Sequence, residues 1–189
     1  MRCELAQRRA ARLLPRLRCV VECVDGRAHD RARFRCIKGF ICQFGIGATP
    51  ELNAQWKEKG SIVDDPHMLT NGGFLARGML SFAGGGADSR TTQLFVSLRD
   101  SKYLGKAAWE TPVGQIVEGM DVMDAWYKGY GDSSRHGGRA PEQSVLQHRG
   151  SEYVRTQFPD LDFIRSCSVV GTRAETGEQL ASAHSRQLP

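Results

Sequence analysis

The feature that most constrains this chain is a series of apolar runs too short for buried helices, each closed by glycine or another turn former. FRCIKGFICQFGIG (34–47) is β-prone and interrupted at Gly39 and Gly45, as two strand pieces around a bend would be. GMLSFA (78–83) reads as a strand followed by the loop GGGADSRT. TQLFVSL (92–98) alternates, with Gln93, Phe95 and Ser97 facing one way and Leu94, Val96 and Leu98 the other. PVGQIV (112–117) and FIRSCSVV (163–170) supply two more strand candidates. Helical signals are few. Thr49 can cap a short helix starting at Pro50. In EGMDVMDAWYKGYG, Met120, Met123, Ala125 and Tyr127 can form the inner face of another, ended by Gly129 and Gly131. The pattern predicts a mainly β domain, a closed antiparallel barrel or sandwich with one or two short helices.

Charge narrows the functional classes. Six arginines against Glu4 within residues 1–18 account for the whole net charge of +5. No aromatic residues interleave with them as a nucleic-acid stacking platform requires, so no nucleic-acid partner is expected. No apolar run reaches the roughly 18–20 residues of a membrane span, so no membrane partner is expected either. The six cysteines include no CxxC pair, and Cys19 with Cys23 lacks a second ligand pair. They read as scattered reduced thiols of a cytosol-like compartment, with no metal site. The Arg- and Ala-rich start is also compatible with an organelle presequence, although it lacks serine and carries Glu4, Glu22 and Asp25.

GGGADS lacks the GK[ST] ending of a phosphate-binding loop, and G-x-G-x-x-G occurs nowhere. The five histidines, at 29, 67, 136, 148 and 184, fall outside the motif-rich strands and give no support to hydrolytic chemistry.

Three ordered segments carry a resemblance. FRCIKGFICQFG (34–45), GMLSFAGGGADSRTTQLFV (78–96) and PVGQIVEGMDVMDAW (112–126) together resemble the signature of cyclophilin-type peptidyl-prolyl cis-trans isomerases. These are an arginine-bearing strand before Gly-Phe-x-x-Gln, a Leu-Ser-x-Ala strand with a glycine-rich loop and a Gln-x-Phe strand, and a Glu-Gly-Met turn. Residues from GDSSRHGG to the final strand resemble a divergent subgroup with an inserted loop there.

The resemblance implies a cyclophilin-like closed antiparallel β-barrel over residues 34–170. Residues 1–33 would be a basic segment outside the family pattern, and 171–189 a polar, disordered tail. It implies isomerisation of X–Pro bonds in peptides or protein clients by a monomer that uses no cofactor. A catalytically inactive proline-binding module with the same pocket is the alternative. By position, Arg35 matches the catalytic arginine. Phe40, Ile41, Phe95 and Leu104 match the wall of the proline pocket, and Gln43 and Gln93 its polar residues. Ala83 and Gly84 match the loop that receives the substrate backbone, with Gly84 in place of an asparagine. Each apolar residue also reads as plain core, and Arg35 as one surface arginine among many. The two glutamines are costly to bury unpaired, which points to a network.

Departures from the family pattern accompany these matches. Tyr103 stands near a family tryptophan, Trp109 near a histidine, where it would close the pocket with an aromatic edge, and Val113 replaces a phenylalanine of the pocket wall. Residues 1–33 read as a basic helix-prone stretch broken by Pro15, then the patch CVVECV and a polar turn. Family members carry two strands and a helix there. Either this segment substitutes for them, or the chain is a shortened version whose barrel is incomplete at that end.

Overall fold

A computed structural model describes residues 2–5, 30–64 and 74–165. Its strands are β1 (Arg2–Leu5), β2 (Arg31–Ala32), β3 (Arg35–Cys36), β4 (Ile41–Phe44), β5 (Met79–Phe82), β6 (Leu94–Ser97), β7 (Pro112–Glu118) and β8 (Phe163–Ile164). Four α-helices accompany them: α1 (Pro50–Glu58), α2 (Met120–Ala125), α3 (Gln143–Arg149) and α4 (Ser151–Gln157). Single 3-10 turns lie at Ala108–Glu110 and Ser134–His136. No helix of the described residues is long and apolar enough to cross a membrane.

Six strands form one antiparallel sheet in the order β1-β7-β5-β6-β4-β3, and β2 pairs with β8 in a second. The mainly β expectation holds, but closure into a barrel does not. Among the described residues β1 bonds only β7 and β3 bonds only β4, so the large sheet ends in two edges. Next to β3, Asp30 N–H donates to the Ile164 carbonyl at 3.1 Å and Arg33 N–H to the Asp162 carbonyl at 3.0 Å, extending the β2–β8 pairing. At the chain start Arg2–Leu5 form β1, in register with 114–118 of β7, and residues 6–29 of the expected helix-prone stretch lie outside the described residues. The CVVECV patch and the 171–189 tail lie outside the described residues.

Local rules account for most of the large sheet. Ile37, Lys38, Gly39 and Phe40 make the β3–β4 turn, with Phe40 N–H bonded to the Ile37 carbonyl and Gly39 at φ +64°. Thr49 Oγ1 accepts from Leu52 N–H at 3.3 Å, the cap expected ahead of Pro50. The short helix at 120–125 buries Met123, while Ala125 is exposed and Trp126, just beyond its end, is buried instead.

One face of the sheet carries the first core. Cys36, Cys42, Val96, Leu98 and Ile116 pack with Met123 and Trp126, and Phe82, Leu94 and Val113 extend the layer. Cys36 and Cys42 are direct cross-strand partners on β3 and β4, their Cα atoms 4.0 Å apart, because the four-residue turn between the strands sets position 36 opposite 42.

A second core lies beside the sheet. Ala32, Phe34 and Ile46 pack with Leu146, Tyr153, Val154 and Leu161. The inserted loop anticipated before the last strand is therefore largely two seven-residue helices, and the described residues alone hold four α-helices where one or two were expected. Each is too short to show a helical period in sequence, and Gly150, at φ +67° with its Cα against the Ala48 carbonyl, breaks the pattern between them. Asn53 of α1 ties this layer to α1, accepting from Gly47 N–H at 2.7 Å and donating to the Gln147 carbonyl at 2.9 Å.

Gly45 leaves β4 at φ +114°, and a Cβ there would overlap the Thr92 carbonyl and Gln93 Cα. Arg31, buried, also donates to the Gly45 carbonyl at 3.1 Å. Gly45→Ala combines backbone strain with a backbone collision. Urea unfolding should show a loss of about 2–3 kcal/mol.

Candidate active site

Register sorts the side chains of four adjacent strands onto two faces. Cys36, Cys42, Val96 and Leu80 are successive cross-strand partners and belong to the core face. One residue along, Arg35, Gln43, Phe95 and Ser81 are successive partners. They point to the opposite face, because side chains alternate along a strand and opposed residues share a side.

On that second face a polar network stands beside an apolar cluster. Arg35 Nη1 donates to Gln43 Oε1 at 3.0 Å, and Gln43 Nε2 donates to Gln93 Oε1 at 2.8 Å. Gln43 is only 6% exposed, so both ends of its amide are satisfied where an unpaired one would cost most. The cluster has Ile41, Leu75 and Phe95 buried at its centre, with Ile37, Phe40, Met79, Ala83 and Leu104 packed around them. Ile41 and Gln43, and likewise Gln93 and Phe95, are two positions apart, so the strands that carry the amides also carry the apolar wall.

The loop bearing Leu104 and Trp109 is tied to the sheet from below. Ser81, fully buried, donates from Oγ to the Glu110 carbonyl at 2.7 Å. Glu110 Oε2 accepts from Gly105 N–H at 2.8 Å. Leu75 N–H donates to the Leu104 carbonyl at 3.1 Å, and Ser101 Oγ accepts from Leu104 N–H at 3.2 Å.

Arg35, Phe40, Ile41, Gln43, Ala83, Gln93, Phe95 and Leu104 thus gather on one face. Gly84 and Trp109 form a separate contact: a Cβ on Gly84 would fall 2.7 Å from the Trp109 Cβ, so the glycine is what lets the indole lie against this loop. Trp109 is not among the residues packed on Phe95. Tyr103 is 80% exposed and stands clear. Val113, expected in the pocket wall, packs instead with Phe82 and Leu94 on the core face. Ala83 N–H is engaged by the Gln93 carbonyl at 3.0 Å, which leaves the carbonyl of that residue, rather than its amide, for a ligand.

Sequence reasoning missed Asp132. Its carboxylate takes Arg35 by two bonds, Nε to Oδ1 at 2.7 Å and Nη2 to Oδ2 at 3.2 Å, across 97 positions of chain. Within GDSSRHGG it is one polar residue of a polar loop, and no periodicity or motif marks it. Burial works to raise its carboxyl, but the hydrogen bonds from Arg35 and Ser133 N–H and the charges of Arg35 and His136 hold it below the usual carboxylate range. Leu75, Met79 and Ile37 join the same apolar cluster without having been singled out, because hydrophobicity alone does not tell one face of the sheet from the other.

With this geometry in view, the comparisons are specific. A family model described as cyclophilin type peptidyl-prolyl cis-trans isomerase/CLD matches residues 17–147. The chain is also similar to Peptidyl-prolyl cis-trans isomerase 4 of Caenorhabditis elegans, 28% identical over 138 residues. That match takes in 71% of this chain and 24% of the worm protein, so the chain spans about a quarter of that relative's length.

A lowered carboxyl pKa stabilises the fold above the unfolded value, near 4, and that stabilisation is lost as pH falls through the native value. Asp132→Asn should therefore be less stable than the wild type at pH 7. Chemical unfolding at pH 7 and at pH 2.5 should show the gap shrinking at the acid end.

Proposed function

The chain belongs to the cyclophilin-type peptidyl-prolyl cis-trans isomerase family, and from that membership we propose that it catalyses cis/trans rotation about X–Pro bonds in peptides and protein clients. The observation that carries the proposal is Arg35, held by Gln43 and Asp132 on the sheet face that also bears the Ile41–Leu75–Phe95 cluster.

The chemistry asks for little more. Amide resonance sets a barrier of about 18–20 kcal/mol, and no proton or group has to be transferred to lower it. As the bond twists, the prolyl nitrogen loses conjugation and gains a localised lone pair. A fixed donor aimed at that nitrogen stabilises the twisted state and not the planar ground state, which is the condition for acceleration. Of the five N–H groups of a guanidinium, three of Arg35 are committed to Asp132 and Gln43. Two remain for a substrate.

The pyrrolidine ring takes the apolar cluster, with Phe40, Ile41, Phe95 and Leu104 as walls. Gln43 and Gln93 hold the polar edge, and the Ala83 carbonyl with the Gly84 backbone receives the flanking chain. Trp109, on Gly84, closes the loop side. The resemblance to an isomerase from Caenorhabditis elegans supports the same reaction class.

The test is exchange NMR on a short Ala-Pro peptide with wild type and Arg35→Ala. Wild type should accelerate exchange. The variant should lose about 100–1,000-fold, the size of one preorganised donor to a developing charge. A folded protein that binds the peptide without accelerating it would overturn catalysis and leave a proline-binding module.

A further inference from the structure

We infer that Asp132 is a positioning residue that acts through Arg35, fixing the plane of its guanidinium so that the two remaining N–H groups point to the substrate; the inference rests on the reading of Arg35 as the catalytic donor.

Four observations carry it. The contact is bidentate, with both carboxylate oxygens on Nε and Nη2, the fork geometry that fixes orientation as well as distance. Gln43 takes Nη1 from β4, so the guanidinium is held from two directions, with one further N–H each on Nη1 and Nη2. Both charged side chains are 21% exposed, shielded enough for the pair to persist and open enough for a peptide to reach Arg35.

The fourth is that the turn presenting Asp132 is itself built rigidly. Arg139 N–H donates to the Tyr130 carbonyl at 2.8 Å and Ala140 N–H to the Asp132 carbonyl at 2.9 Å. Ser133 N–H donates to Asp132 Oδ1 at 2.6 Å, and Gly138 packs so closely on the Asp132 backbone that no side chain fits there. His136 Nδ1 lies 3.7 Å from the same oxygen.

A strap that merely joined the turn to the sheet would affect folding alone. A positioning residue affects turnover in a way that depends on Arg35. An unheld arginine samples many rotamers, and only some aim a donor at the prolyl nitrogen. Peptide affinity, which comes mostly from the apolar wall, is not touched.

The experiment is a double-mutant cycle of Asp132→Asn, Arg35→Ala and the pair, read as kcat and KM by exchange NMR. Asp132→Asn should lower kcat by about 10–30-fold with KM within about twofold, as expected when a charge-assisted fork is lost. The double variant should be no slower than Arg35→Ala. Full kcat in Asp132→Asn, or losses that multiply in the double variant, would overturn the inference.

Should Asp132→Asn fail to fold by circular dichroism, two further measurements decide. Asp132→Glu, which keeps the carboxylate, should retain more activity than a folded Asp132→Ser. In the wild type, the Arg35 Nε–H, assigned by its loss in Arg35→Ala, should exchange with solvent more slowly than an exposed arginine. Equal activity of the two variants, or ordinary exchange, overturns it. Arg35→Ala at wild-type rate would instead refute the catalytic role of Arg35, a failure separable from that of Asp132.

Discussion

The register of β3, β4, β6 and β5 is the constraint on which the molecule depends. One row of partners, Cys36, Cys42, Val96 and Leu80, faces the core, and the adjacent row, Arg35, Gln43, Phe95 and Ser81, faces the site. A slip of one residue in a strand would exchange that strand's share of the two rows, and in β3 it would bury a guanidinium in the apolar core. The apolar row resists that slip through its burial, and the polar row resists it through hydrogen bonds that only this register satisfies. Core and site therefore enforce each other.

That mutual dependence also explains how a charged side chain is kept on a largely apolar surface. Removing a guanidinium from water costs several kcal/mol unless partners replace the lost hydration. Asp132 supplies the opposite charge and Gln43 a neutral acceptor, itself backed by Gln93. Each amide that would be costly if buried alone is a link in one chain of bonds. The chain runs from a turn before α3, through the β3 edge, to the start of β6.

The second core gives this arrangement a foundation outside the sheet. Phe34 and Ile46 flank the β3–β4 hairpin in sequence and pack with Tyr153 and Val154 of α4. The hairpin carrying Arg35 is thus anchored at both ends by helices that lie more than a hundred residues later. Gly150 lets α3 and α4 fold sharply against Ala48, where Ser151 N–H donates to the Ala48 carbonyl at 2.8 Å. The same helices follow directly from the turn bearing Asp132, so one layer steadies both partners of the ion pair.

Much was legible in the residues alone. Short apolar runs defined β5, β6 and β7, Gly39 marked the hairpin turn, and Thr49 with Pro50 marked the start of α1, because each is a local rule about backbone and solvent. The position of Arg35 before Gly-Phe-x-x-Gln carried the resemblance to the family. Three things depended on tertiary structure. The pairing of β2 with β8 joins backbone partners 133 positions apart. The opposition of Cys36 and Cys42 needed the hairpin register, and the grip of Asp132 on Arg35 needed two segments 97 residues apart to meet. Local spacing encodes faces and turns; which faces meet is decided by packing and charge pairing over distances that no local pattern records.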